Sequence, residues 1–330
     1  MRDNNKLFEA LAINILESQF QPGPFTEMYD GKDPWKDYLI FRVEAIHEYV
    51  DNPKYDVRYE DFYGVVSVKK EYENDKYLLS YPLIFTYAYK KDEKDSRALL
   101  LFSRNLMLLD TADQYRWNKF IENKNNYKYI RCFADKFVFL KPVTKISIYR
   151  AILLEIKTIN EICVENGLEK MFKNEYLGRE EDISEFRVMF LPTKRYYNHF
   201  ILITNKIINE SLKTFYNRIQ KTHKPTFKTR RGEGKFVAFD NYLVDEINLK
   251  APLILEQIIQ PLKDLYDARN IAAHEVITDV WDEMLWLKQD CFLDQLYTAL
   301  RELRKAMFRN FNSKVKIPEC IQNGRNIFHP

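Results

Sequence analysis

Four segments in the second half of the chain repeat their apolar residues at spacings of three and four. The first carries a series of isoleucines at Ile148, Ile152, Ile156, Ile159 and Ile162. This period matches an α-helix with one apolar side. It predicts four long helices over residues 147–166, 194–220, 251–271 and 278–309. Four such helices are enough for an antiparallel four-helix bundle, so residues 146–330 are predicted to form a C-terminal helical domain.

Residues 1–145 show less regular periodicity. The segment Phe62–Val68 is rich in aromatic and β-branched residues and predicts a strand. Segment 77–89 is apolar almost all round, and we interpret it as a buried helix; segment 96–109 is predicted as another helix. We therefore expect an N-terminal α or α+β region that acts as a sensor or binds a substrate or a partner. With only 8 glycines in 330 residues, the whole chain is predicted to be mainly α.

The composition describes a folded protein with little net charge. The chain is 46% apolar and 30% charged, so it can bury a core, and its net charge of +3 means that any nucleic-acid contact must be local. Its four cysteines are widely spaced, which favours reduced thiols over a zinc site. The sequence has no signal-peptide core and no run suited to a membrane span. We expect a cytoplasmic protein without a membrane partner.

A short polar stretch lies between the third and fourth predicted helices. Arg269, Asn270 and His274 place a permanent cation, an amide and an imidazole within six residues. In three places in the chain a His stands five residues after an Arg, and these pairs begin at Arg42, Arg218 and Arg269. Of these three arginines, only Arg269 is followed directly by Asn. At a helix junction these side chains can project into an open groove. They are the candidate catalytic residues.

This Arg-Asn-x3-His stretch beside the helices of a C-terminal bundle resembles the motif of the HEPN superfamily. The superfamily includes ribonucleases of toxin–antitoxin, abortive-infection and CRISPR-linked defence systems. The resemblance implies a HEPN-like ribonuclease domain that acts in toxin–antitoxin or antiphage defence. It also implies a homodimer with two motifs in one composite active site, and an antitoxin or regulatory protein as a further partner.

The residue types suit RNA cleavage by the 2′-hydroxyl of the substrate itself. An imidazole with an ordinary pKa near ~6.5 exchanges protons at neutral pH, which fits His274 for general acid–base work. Arg269 keeps its charge and can bind phosphate oxygens, while Asn270 can orient the phosphate or the imidazole. The expected product is a 2′,3′-cyclic phosphate. This chemistry requires no metal or other cofactor.

A second informative stretch follows the second predicted helix. Between residues 221 and 235 six cations stand against one carboxylate. Such a stretch can bind the phosphates of RNA. The predicted RNA-binding residues are Arg218, His223, Lys224, Lys228, Arg230, Arg231 and Lys235.

Two other interpretations of the chain remain open. A HEPN-like module can bind RNA or protein without turnover. Alternatively, the motif residues can serve only to cap helices in a structural dimer. The leading prediction is a metal-independent endoribonuclease that cleaves single-stranded RNA.

Overall fold

The computed structural model describes residues 18–29, 37–75, 77–91, 96–129, 131–137, 141, 145–176, 185–224, 233–275, 279–324 and 326–330. The chain divides into two compact units, Met1–Pro142 and Val143–Pro330.

The first unit is built on an antiparallel sheet of seven strands. These are β1 (Tyr38–Arg42), β2 (Tyr55–Tyr59), β3 (Gly64–Val68), β4 (Leu83–Lys90), β5 (Arg97–Phe102), β6 (Ile121–Glu122) and β7 (Tyr127–Tyr129). Their order is β2-β3-β4-β5-β1-β6, and β7 pairs with the end of β4. In the centre of the sheet, Leu101 of β5 lies between Phe85 of β4 and Leu39 of β1.

Short helices accompany the sheet. They are α1 (Pro24–Glu27), α2 (His47–Val50), α3 (Ser103–Met107), α4 (Thr111–Asn118) and α5 (Arg131–Phe137). Helix α4 begins with a side-chain cap, because the carboxylate of Asp110 accepts a hydrogen bond from the backbone N–H of Asp113.

The prediction of a mainly α chain is wrong, because the N-terminal region is rich in β-structure. Segment 77–89 was predicted as helix, but its second half belongs to β4. Segment 96–109 was also predicted as helix, but it forms β5 and then the five-residue helix α3. All six residues of β5 are buried, so this strand is covered on both faces. The sequence of such a strand does not alternate between apolar and polar residues, so it cannot be distinguished from a buried helix by its pattern.

The second unit is mostly helical. Its helices are α6 (Ile148–Glu165), α7 (Lys194–Asn205), α8 (Lys213–Thr222), α9 (Gly234–Asp245), α10 (Pro252–His274), α11 (Met284–Asn310) and α12 (Glu319–Gln322). A π-helical turn, Lys206–Glu210, lies between α7 and α8. The strands β8 (Ile146–Ser147) and β9 (Ile327–Phe328) form a small parallel pair.

Helix α6 confirms the prediction for residues 147–166 to within one residue at each end. The predicted helix 194–220 is instead interrupted by the π turn and resumes as α8. Helix α10 continues to His274, and α11 begins only at Met284. The prediction of a four-helix bundle is wrong, because α9 packs between α8 and α10 as a further helix.

Polar contacts, some of them buried, also join the helices within this unit. Arg304 of α11 forms a buried ion pair with Glu155 of α6, and its Nη2 lies 3.1 Å from Glu155 Oε1. Asn209, in the π turn, donates to the backbone carbonyl of Leu262 on α10 at 3.1 Å. The second contact fixes the π turn against α10, the helix that carries the candidate catalytic residues.

None of the helices within the described ranges is both long enough and apolar enough to cross a bilayer.

Candidate functional site

The three candidate catalytic residues all lie in the last two turns of α10. This helix ends at His274, three residues beyond the predicted end. Arg269 and Asn270 are half-buried, whereas His274 is exposed. The Arg269 Nη1 lies 3.4 Å from Asn270 Oδ1, so the guanidinium can donate a long hydrogen bond to its neighbour. Inside a regular helix, the spacing of these residues determines which of them share a side.

The helical positions separate Arg269 from His274. Residues five apart on an α-helix project in directions about 140° apart, and their Cα atoms are about 7.5 Å apart along the axis. Asn270 and His274 are four apart and therefore share a side of the helix. Within one chain, Asn270 and His274 can serve the same group, while the side chain of Arg269 leaves the helix in a different direction and its guanidinium reaches back to Asn270.

The end of α10 is fixed to α7 by the residue that follows the motif. Glu275 forms an ion pair with Lys194, with Nζ and Oε2 3.3 Å apart. The same Oε2 accepts a hydrogen bond from Asn198 Nδ2 at 3.3 Å. These contacts hold the backbone beside His274 in place while its imidazole stays exposed to solvent.

Arg269 lines a polar cavity of about 320 Å³ formed by α7, the π turn, α8, α9 and α10. The residues around it are Asn205, Asn209, Glu210, Lys213, Tyr216, Asn217, Gln220, Lys235, Tyr266 and Arg269. Amides and cations predominate among these residues. A cavity of this composition favours a ligand that is anionic and rich in hydrogen-bonding groups.

Lys235, a predicted RNA-binding residue, lies at this cavity in the first turn of α9. Its Nζ lies 3.7 Å from the centroid of the Tyr266 ring, a cation–π contact. Burial and the neighbouring Arg269 lower the pKa of Lys235 to about 8, and Asp267 partly opposes them. The structure thus brings together Lys235 and Arg269, which the sequence analysis assigned to two separate stretches.

The other predicted RNA-binding residues are placed differently. Arg218 forms an ion pair with Glu169. His223 is only 11% exposed, with Nδ1 2.8 Å from the Thr222 hydroxyl and Nε2 3.5 Å from Glu246 Oε1. Lys224 is exposed. Lys228, Arg230 and Arg231 lie outside the described residues. Arg218 and His223 are therefore already engaged by groups of their own unit.

The amides at the cavity were missed by the sequence analysis. Asn205 and Asn209 stand four residues apart in a segment predicted as regular helix, and Tyr266 stands three residues before Arg269. Both spacings place side chains on one side of a helix. Polar residues at helical spacing inside an apolar segment were the signal that could have identified them.

Exposed apolar side chains stand close to the motif in the sequence, one before residues 276–278 and three after them. Ile271 is 63% exposed, and the segment leading into α11 adds Val280, Trp281 and Met284. Large apolar side chains grouped in this way favour contact with another protein surface.

Comparison of this chain with protein-family models, with characterised proteins and with solved structures finds no match.

Proposed function

We propose that this protein is a metal-independent endoribonuclease that cleaves single-stranded RNA through attack by the 2′-hydroxyl. The observation that carries the proposal is the arrangement at the end of α10. There an exposed imidazole, His274, lies one turn from Asn270 and less than two turns from a polar cavity that holds Arg269 and Lys235. The cavity can bind the RNA backbone while the imidazole remains exposed to solvent.

Each side chain has a distinct part in this reaction. His274 takes the proton from the 2′-hydroxyl or gives one to the departing 5′-oxygen. Arg269 holds the non-bridging oxygens of the phosphate, which carry additional charge in the transition state. Asn270, on the same side of the helix as His274, orients the imidazole or the phosphate through its amide. The products are a 2′,3′-cyclic phosphate and a free 5′-hydroxyl.

A homodimer completes the proposed site. Because Arg269 and His274 project in directions about 140° apart, one copy of α10 does not offer both to the same phosphate. A second copy can supply the missing group, and two-fold pairing is the commonest arrangement of identical chains. The exposed Ile271, Val280, Trp281 and Met284 offer apolar surface for such a contact.

The biological setting follows from the resemblance to HEPN ribonucleases. We propose toxin–antitoxin or antiphage defence in the cytoplasm, with the β-rich unit as the part that senses a trigger or binds an antitoxin or regulatory protein. The four cysteines, all within the described residues, form no disulfide, which agrees with a reducing compartment.

The direct test uses the purified full-length protein and a 5′-labelled single-stranded RNA in EDTA. We expect cleavage by the wild type, loss of cleavage in His274→Ala, and cleavage at the wild-type rate in His199→Ala. His199 is a suitable control because it is also an exposed histidine of the helical unit. Circular dichroism should show that both variants are folded. Cleavage by His274→Ala at the wild-type rate would disprove the assignment of the site.

A second candidate function is RNA binding without cleavage, and the wide angle between Arg269 and His274 favours it. In that case RNA binds at the Lys235–Arg269 cavity, and His274 has no chemical part. Retained RNA affinity in His274→Ala, lost affinity in Lys235→Met, and intact RNA under all conditions would identify this function.

A further inference from the structure

Two residues that line the cavity beside the π turn have a buried polar atom without a hydrogen-bond partner among the described residues. A π turn accommodates an extra residue in a helix, and such turns often occur at functional sites. Here it follows Asn205 and contains Asn209 and Glu210, all three of which line the cavity. The hydroxyl of Ser211 donates to the carbonyl of Lys206 at 3.4 Å, which helps to hold the irregular backbone.

The orientation of the Asn209 amide is set by two donated hydrogen bonds. Its Nδ2 donates to Asn205 Oδ1 at 3.2 Å and to the carbonyl of Leu262 at 3.1 Å. Both N–H groups are then used, so the amide cannot be reversed without losing them. The Oδ1 of Asn209 is buried and receives no hydrogen bond from any residue that the structure describes. This oxygen is an acceptor without a donor.

Tyr216, on α8, also lines the cavity and has a second group of this kind. The residue is 2% exposed, and its buried hydroxyl has no hydrogen-bond partner among the described residues. Leaving a buried polar group unpaired destabilises the fold. Two such groups at one cavity indicate a ligand that pairs with both.

The charges around the cavity define a second part of the ligand. The described lining residues include one carboxylate, Glu210, and three cationic side chains: Lys213, Lys235 and Arg269. Asn205 Nδ2 lies 3.4 Å from that carboxylate and can donate to it, which engages part of its capacity to accept hydrogen bonds. The remaining positive charge suits a phosphate group.

We propose that this cavity is a subsite for one nucleotide, with its phosphate on Lys235 and Arg269 and its base edge on Asn209 Oδ1 and the Tyr216 hydroxyl. The volume of about 320 Å³ lies at the small end of ligand pockets and suits one nucleotide. The base supplies the N–H that Asn209 lacks. The inference rests on the proposed function in that the nucleotide belongs to the RNA substrate; a free nucleotide offers the same chemistry.

The test compares a nucleotide with its sugar phosphate. CMP, AMP and ribose 5-phosphate are titrated calorimetrically into the full-length protein; none of them contains the phosphodiester bond that the proposed nuclease cleaves. We expect CMP or AMP to bind about tenfold or more tightly than ribose 5-phosphate, since pairing a buried polar group contributes about 1–3 kcal/mol. Equal affinities for all three compounds would overturn the base contact.

The variant Tyr216→Phe removes only the hydroxyl that the described protein leaves unpaired. A structural role for that hydroxyl predicts a lower melting temperature in the variant. The subsite predicts an unchanged or higher melting temperature, a nucleotide affinity about tenfold lower, and an unchanged affinity for ribose 5-phosphate. Unchanged nucleotide affinity in this variant would also overturn the proposal.

Lys235→Met should weaken binding of all three compounds, because it removes a phosphate contact. Lys206→Met is the matched control, since Lys206 is exposed in the same π turn and does not line the cavity. Equal binding in the two lysine variants would argue against a phosphate at Lys235.

The source of the nucleotide is settled by competition. Displacement of CMP by a single-stranded oligonucleotide, with a raised KM for RNA in Tyr216→Phe of the otherwise wild-type protein, assigns the subsite to the substrate. CMP binding without competition assigns it to a free nucleotide and supports the same chemistry. Cleavage of RNA by a protein that binds no nucleotide in the cavity would overturn the subsite and leave the proposed nuclease standing. Nucleotide binding without any cleavage of RNA would support the subsite and overturn the proposed nuclease.

Discussion

Arg269 and His274 stand five residues apart on one unbroken α-helix, so their side chains leave α10 in directions about 140° apart. At a helix junction the irregular backbone could have brought the two side chains together, but inside a helix the angle between them is fixed. The proposed site therefore depends on a second copy of the chain.

This dependence predicts that two inactive variants restore each other. Arg269→Ala and His274→Ala should each be inactive alone. When they are mixed and allowed to exchange subunits, half of the dimers are mixed, and each of these has one site with both groups intact. We expect RNA cleavage at about a quarter of the wild-type rate.

The control for this experiment is a mixture of His274→Ala with the double variant Arg269→Ala/His274→Ala. It contains no wild-type His274 and should stay inactive. If the first mixture is as inactive as the control although subunits exchange, Arg269 and His274 act within one chain or not at all.

The affinity of the cavity for phosphate should fall as the pH rises from 7 to 9. Burial and the neighbouring Arg269 lower the pKa of Lys235 to about 8, so the amine is charged at pH 7 and mostly neutral at pH 9. The phosphate of CMP, with a second pKa of about 6, is mostly doubly charged at pH 7 already and gains little charge up to pH 9. If binding requires the charged amine, the affinity for CMP falls about tenfold across the two pH units.

Calorimetric titrations of CMP at several pH values measure this effect. Lys235→Arg is the matched control, because a guanidinium keeps its charge at pH 9. The control should show a flat profile. A flat profile in the wild type would mean that Lys235 does not bind the phosphate.

The buried ion pair between Glu155 and Arg304 should matter for stability. Arg304→Met leaves the Glu155 carboxylate buried beside an apolar side chain, and loss of one partner of a buried pair costs about 3–5 kcal/mol. Urea unfolding followed by circular dichroism measures the loss. The double variant Glu155→Leu/Arg304→Met removes both charges and should recover much of the stability. A loss in Arg304→Met below about 1 kcal/mol would show that the pair is not desolvated.

Gly64 in β3 should not tolerate a side chain. It pairs with Phe85 of β4, and a Cβ at this position would overlap the Phe85 ring. Overpacking of this kind costs about 1–3 kcal/mol, so Gly64→Ala should lower the melting temperature. Gly64→Ala/Phe85→Leu should recover part of the loss. Ser67→Ala, on the same strand, should change little, and an equal effect of both alanines would contradict the overlap.

The predictions that succeeded rest on local sequence patterns. The isoleucines of α6 face one side of a helix, and that pattern alone determines a long amphipathic segment. The buried strand β5 has no comparable pattern, because both of its faces are covered by other parts of the unit. Its pairing with β1 and β4 is a tertiary property, and the leucines of Arg97–Phe102 suit either structure when read alone.

The candidate site was predictable only in part. Sequence spacing identified Arg269, Asn270 and His274 as a group, but it did not show that α10 continues through all three. Lys235 was identified by local charge. Its approach to Arg269 depends on how α9 packs beside α10, which no local pattern encodes. The roles of Asn209 and Tyr216 depend on which of their polar atoms the fold leaves without a partner.

The π turn holds one residue more than an ordinary α turn, so a change of chain length there can be taken up locally. Removing a single residue from Lys206–Glu210 would restore an α turn and leave α8 in nearly its present phase relative to α7. Phe215 and Tyr216 would then stay buried. A deletion in this turn should therefore spare the interior of the unit and alter the lining of the cavity, to which Asn209 and Glu210 belong.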